Sequence, residues 1–194
     1  MLSLGEVTLR PLEPDDIDQL YSWESDSELN ILAGWSPLRS RAAFRQVHEQ
    51  RIMHPPDDLV TLGIQVGERL VGYVQLAQIE REERRAAVGI LIGDKQAWGR
   101  GIGSAALRIL LDYAFTIEEL ERVYAETYSF NTRSFRLMER VGFQLEGTMR
   151  QHEIHNGIRQ DMHLFGMLKS EFYQRYPTIF RLPDENENLA EKTL

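Results

Sequence analysis

The sequence predicts a single α/β (α+β) domain on a mixed sheet, and three observations carry that reading. Leu59–Val66 and Leu70–Ile79 hold apolar residues at strand spacing on either side of Gly67, Glu68 and Arg69, which makes an antiparallel hairpin. Ala86–Ile92, Ile102–Ile117 and Arg122–Tyr128 follow as strand, amphipathic helix and strand, a crossover that sets its two strands parallel. Asn156-Gly157 between two later strands signals a type I′ turn, since both residues tolerate positive φ. The 194 residues suit one core.

Taken in order, Val7–Pro11 is a short alternating strand that stops where Pro11 and Pro14 remove backbone donors. A helix follows over Asp15–Glu24, with Ile17, Leu20 and Trp23 as its apolar stripe. A second helix is predicted from Pro37, with Ser36 as cap, to Met53, ended by His54, Pro55 and Pro56. Within the hairpin, simple alternation puts Val71, Tyr73 and Gln75 on one face. Glu80–Arg85 is a charged turn, and the compact apolar run Ala86–Ile92 suits a strand buried on both faces. Ile102, Ala106, Ile109, Leu110, Tyr113 and Ala114 recur at helical spacing, and Val123, Ala125 and Thr127 alternate in the next strand. A short helix runs from Asn131 to Val141, stopped by Gly142, and Phe143 opens the next strand. Periodicity fades after Phe172, so a domain over 1–172 with an irregular C-terminal extension, 173–194, is expected.

Composition removes several function classes. There is no cysteine, which excludes disulfides, thiolate metal sites and a cysteine nucleophile. His152, His155 and His163 lack the spacing of helix-borne zinc ligands, so no metal is expected. With 22 Lys+Arg against 30 Asp+Glu the net charge is −8, which disfavours a nucleic-acid partner. Met1–Arg10 has no signal-peptide pattern and no stretch approaches the ~20 apolar residues of a membrane helix, so a cytoplasmic protein without a membrane partner is expected.

The most informative segment is Trp98 to Ser104, where Gly99, Gly101 and Gly103 alternate between a buried strand and a helix. Missing Cβ atoms let a ligand approach the backbone, and successive N–H groups at a helix N-terminus favour a pyrophosphate. Gly101, Gly103 and Ala106 also fit a relaxed dinucleotide-binding pattern. That reading fails on context: the loop lies mid-chain, an antiparallel hairpin precedes it, and no ribose-binding acid ends the following strand. The Gly-Lys-Ser/Thr ending of a P-loop is missing too.

The loop, with Trp98 at the Gln/Arg position of a Gln/Arg-x-x-Gly-x-Gly/Ala motif, resembles the GNAT superfamily of N-acetyltransferases. Leu9-Arg10-Pro11, Asp16, Trp23, Asp26, Ala86–Gly93, Asn131 to Ser134, Gly142-Phe143, Glu146-Gly147, Asn156-Gly157 and Asp161 occur in the matching order over about residues 4–170. Trp98 followed by glycine is similar to the branch of ribosomal-protein N-terminal and spermidine acetyltransferases. The resemblance implies a mostly antiparallel sheet of six to seven strands with flanking helices and splayed central parallel strands. It implies acetyl-CoA as co-substrate and a small-molecule or peptide amine as acceptor, and relatives often form homodimers. Leu91, Ile92 and Gly93 are then expected to offer backbone groups to the pantetheine arm. Gly99, Arg100, Gly101, Ile102, Gly103 and Ser104 would hold the pyrophosphate, so Gly103→Val should block the cradle. Asn131 and Ser134 would contact the CoA side of the next helix, Asn131 capping that helix while its amide reaches the coenzyme.

The chain departs from the family at both usual proton-transfer positions, which here are Ala87 and Met138. An amine nucleophile must lose a proton, so another base is needed. Glu126 is the catalytic candidate, on the strand beside the coenzyme and on one face with Tyr124 and Tyr128; Glu80, Glu82, Glu153 and His155 are the others. An exposed strand carboxylate explains Glu126 equally well. The loss of both groups also keeps open a non-catalytic acyl-CoA-binding or sensing module. Asp15–Met53 and the Glu153–Asp161 hairpin are expected to shape the acceptor site.

Overall fold

A computed structural model describes residues 1–34 and 39–180. Among these, eight strands form one sheet: β1 (Leu2–Leu4), β2 (Val7–Pro11), β3 (Val60–Val66), β4 (Arg69–Glu80), β5 (Arg85–Ile92), β6 (Arg122–Tyr128), β7 (Gln144–His155) and β8 (Ile158–Leu168). Their order is β1-β2-β3-β4-β5-β6-β8-β7. The helices are α1 (Ile17–Glu24), α2 (Ser27–Ala33), α3 (Arg41–Met53), α4 (Ile102–Thr116), α5 (Thr132–Val141) and α6 (Lys169–Arg175). β1 exceeds the expected six to seven strands; its three residues are too few to show a period, and they pair back onto β2 from Leu2↔Leu9 to Leu4↔Val7.

Neighbouring strands are antiparallel except β5 and β6, which are parallel as the crossover through α4 requires. Their register holds only from Arg85↔Arg122 to Ala87↔Tyr124. Beyond it the strands part, and Val88–Ile92 keeps β4 as its only partner. This split is the main geometric feature of the sheet.

Each face carries its own core. Ile64, Val74, Leu76, Val88, Val123 and Ala125 pack with α4 and α5 on one side, where Leu107, Leu110 and Phe115 are fully buried. On the other side Ile17, Leu20 and Trp23 of α1, the expected stripe, pack with Leu29, Phe44 and Leu91. Arg10 and Asp16 make a two-pronged ion pair at 2.7 and 2.8 Å that fixes the entry of α1 beside β2. Burial raises the Asp16 carboxyl, but Arg10 and the Glu13 N–H outweigh it and hold it below the usual carboxylate range.

Two sequence expectations change here. The face shared by Val71, Tyr73 and Gln75 is broken by a bulge, since Ile64 pairs Gly72 and Gln65 pairs Leu70. The extra residue sends Val71 into the α4 core and leaves Tyr73 and Gln75 facing α1 and α3. Ser36 and Pro37, expected to open the second helix, lie outside the described residues; α3 opens at Arg41, capped by Ser40 Oγ accepting from Ala43 N at 3.2 Å. A further helix, α2, precedes it, capped by Asp26 and closed by Gly34 at φ 69°.

The expected boundary at Phe172 falls inside α6, and Tyr173, Tyr176 and Ile179 after it pack against the α4 core. Asp112, 1% exposed on α4, accepts from Tyr173 Oη at 2.9 Å, Thr178 Oγ1 at 3.1 Å and Ile179 N at 2.5 Å. Residues 181–194 lie outside the described part. No described helix is long and apolar enough to cross a membrane.

Candidate functional site

The glycine loop ends in α4, whose first turn has N–H groups without intrahelical partners. Gly101 is its N-cap in the left-handed region at φ 81° and offers no side-chain cap. Gly99 is also left-handed at φ 75°, and a Cβ at either glycine would find open space. Ala105 N donates to Gly101 O as the first helical bond, and among the described residues no acceptor faces the N–H groups of residues 99 to 104. The donors are therefore free at the helix's positive end, as a diphosphate cradle needs. Ser104 Oγ is buried there without a partner among the described residues, and Ile102 has only its N–H to offer, because its side chain is in the core. Arg100 reaches Glu6 at 3.2 Å in an exposed pair.

Gly103 departs from expectation. A Cβ there would lie 3.4 Å from Leu137 Cδ2 and 3.7 Å from Ile90 Cδ1, so it points at the α5 packing and not into the cradle. A Cβ at Gly103 would be in ordinary contact there, whereas at Gly99 and Gly101 it would stand in the open space of the loop.

Trp98, at the variable position of the motif, ties the loop to the strand: its Nε1–H donates to Ile92 O at 2.8 Å, and the Arg133 guanidinium sits 4.1 Å over its ring. That engages one backbone acceptor of the Leu91–Gly93 run. Leu91 is buried in the α1–α3 core. Gly93 is glycine because the Trp23 indole lies 2.1 Å from where a Cβ would stand.

Asn131 caps α5 as expected, its Oδ1 accepting from Ser134 N at 3.1 Å. Its Nδ2 donates to Leu32 O at 3.0 Å, so both ends of the amide are engaged within the chain and join α2 to α5. Ser134 is half-buried on the first turn.

Glu126 is exposed on β6, opposite Leu164 of β8. Its face, shared with Tyr124 and Tyr128, is the α2 side, because Tyr128 lies directly against Gly34. Extending the last registered pair, Ala87↔Tyr124, by two residues puts Glu126 level with Gly89 across the split. Gly89 pairs with Gln75 on its other side. Met138 is 2% exposed in the α4 core. Of the remaining candidates, His155 stacks on Phe130 at 5.0 Å at the far hairpin, and Glu153 lies 3.6 Å from His152. Glu80 is bound by Arg85 at 2.9 Å, and Glu82 sits in the exposed turn.

A cavity of about 450 Å³ opens on the same side, between α1, α3 and β4, within the segment expected to shape an acceptor site. Tyr73 and Gln75 form its sheet wall, Glu24, Arg39 and Arg51 bring charge, and His48 adds an imidazole. Periodicity could not show it, because the bulge at Val71 decides which way Tyr73 and Gln75 point. No described cluster of three or more His, Asp or Glu could hold a metal.

Comparisons with known proteins agree with this geometry. A family model described as an acetyltransferase (GNAT) domain matches residues 6–144. The chain is 30% identical over 174 residues to YdaF of Bacillus subtilis, provisionally named a ribosomal N-acetyltransferase, covering 86% of this chain and 93% of that one. It is 27% identical over 173 residues to a spermidine N(1)-acetyltransferase of Vibrio cholerae, covering 88% and 98%. The crystal structure of a Vibrio cholerae spermidine N-acetyltransferase with CoA and spermine shares the fold at TM-score 0.79 and 24% identity, over 86% of this chain and 98% of that one. The open loop, the split sheet and the family match together place the chain in the GNAT family of acetyltransferases.

Proposed function

We propose that the protein transfers acetyl from acetyl-CoA to the primary amine of a small molecule or peptide by direct attack in a ternary complex. The observation that carries the reading is the row of N–H groups over residues 99–104 that meet no acceptor among the described residues, beside two left-handed glycines. In this reading they hold the diphosphate, and the arm runs along the free edge of β5 at Leu91 to Gly93. Bound acetyl-CoA supplies the thioester carbonyl. N–H groups on that free edge are suited to stabilising the oxyanion, because they need no reorganisation at the moment of reaction.

An alkylamine resembles lysine, with a pKa of about 10.4, so its proton must leave near neutral pH. Glu126 is the carboxylate on the acceptor face at the level of Gly89, and we assign it that proton. Thiol release from acetyl-CoA against a panel of amines tests the activity. Glu126→Gln should lower kcat/KM by about 10²-fold or more while CoA binding by calorimetry holds. Unchanged kcat/KM between about pH 6 and 9 would move the proton elsewhere. CoA binding with no thiol release from any amine would point instead to a sensing module.

A further inference from the structure

Resting on the acetyltransferase reading, the cavity between α1, α3 and β4 narrows the acceptor class. Its volume of about 450 Å³ is that of a small-molecule site, where typical pockets run ~300–1,000 Å³. Its lining holds one carboxylate, Glu24, against two guanidiniums, Arg39 and Arg51. Neither arginine has a carboxylate within ion-pair distance among the described residues, although nine other arginines do.

His48 does not alter this balance. It stacks on Phe44 at 3.8 Å, and its Nδ1 meets Phe44 O at 3.1 Å, so that nitrogen carries the proton. Burial, against that hydrogen bond and together with Arg51 and Arg39, holds the imidazole below its ordinary value, so it stays neutral. Burial raises the Glu24 carboxyl, while Arg39 and Arg51 pull it down. The same two arginines thus act on both groups, and the mouth of the cavity is net positive in a chain of net charge −8.

The sheet end has the opposite character. Gln75 Nε2 donates to Thr61 Oγ1 at 3.1 Å, which leaves Oε1 as an acceptor. That oxygen lies 3.7 Å from the Cβ position of Gly89, on the strand that borders the split. An N–H donor in the cavity is therefore drawn to the end nearest the split, and an anion to the end at Arg39 and Arg51.

We infer that the acceptor carries an anionic group, a carboxylate or phosphate, on the same small molecule as the amine that is acetylated. The anion pairs with Arg39 and Arg51, and the amine points past Gln75 towards Gly89. A polycation fits this charge pattern poorly, since a single carboxylate faces two fixed positive charges.

The test uses matched acceptors with full-length protein: gamma-aminobutyrate against n-butylamine, phosphoethanolamine against ethanolamine, and spermidine, with CoA affinity by calorimetry alongside. The anionic member of at least one pair should exceed its partner at least about tenfold in kcat/KM, a difference of ~1.4 kcal/mol. The two pairs separate a carboxylate from a phosphate. Arg51→Gln, an exposed position, should collapse that ratio mainly through KM, and Arg51→Lys should restore part of it. If CoA binds but spermidine or the neutral amines match or exceed the anionic ones, or no anionic amine is acetylated, the inference is overturned and the family reading stands. If CoA does not bind, the acetyltransferase reading fails first, and this inference falls with it.

Discussion

The glycines around the site do not all meet the same demand. Gly93 yields space to Trp23, Gly103 has room for a Cβ in ordinary contact with Leu137, and Gly99 and Gly101 take backbone angles that L residues resist. A substitution at Gly101 should therefore cost both strain and ligand. Left-handed backbone costs about 1–2 kcal/mol for an L residue, and more for a β-branched one. Gly101→Val should lower the melting temperature and weaken CoA binding by at least about tenfold, ~1.4 kcal/mol, in calorimetry. Gly103→Ala has ordinary contact distances to Leu137 and Ile90 and should keep CoA affinity near wild type. Equal loss in the two variants would show that the cradle is not where Gly101 places it.

At the scale of elements, α4 serves both halves of the molecule. Its N-terminus presents the open donors, and its last turns hold the C-terminal segment through Asp112. Among the described residues Asp112 has no cation within ion-pair distance; a backbone N–H and the hydroxyls of Tyr173, Thr178 and Thr116 satisfy it. Asp112→Ala removes the acceptor these part-buried donors share, with Thr116 and Tyr173 left only each other, at about 3 kcal/mol from the lost hydrogen bonds. Denaturant unfolding should show that loss as a lower midpoint, and Asp112→Asn should recover part of it. A loss near zero would mean that α6 and residues 176–180 contribute little to the fold.

Across the whole molecule, the site exists because one sheet holds two cores and one split. β5 is paired on both sides only as far as Ala87, so half of the strand stays available to an extended ligand while β4 holds it rigid. Hydrogen exchange should register this. Adding CoA should slow exchange in residues 88–93 and 99–104 and leave the β3–β4 hairpin unchanged. Protection spread evenly over the sheet would instead indicate a general rise in stability by linkage.

The sequence alone determined the parts whose physics is local. Gly142 and Asn156-Gly157 occupy positive φ, with Gly142 at 108°, Asn156 at 50° and Gly157 at 76°, as their residue types dictate. The bounds of β6 and the caps of α5 also follow from alternation and from Asn131. The density of glycine before α4, with its neighbouring motifs, was enough to indicate the family. Tertiary structure alone decided where side chains end up once non-local pairing intervenes. The bulge at Val71 turned Tyr73 and Gln75 towards the cavity, Leu32 engaged the amide of Asn131, and the Cβ direction of Gly103 turned towards Leu137 instead of the loop. Arg39 and Arg51 are twelve positions apart with nothing in the sequence to link them. They meet Glu24 at one cavity because α1 and α3 pack on the same face of the sheet, and charge complementarity of that kind depends on distance in space, not along the chain.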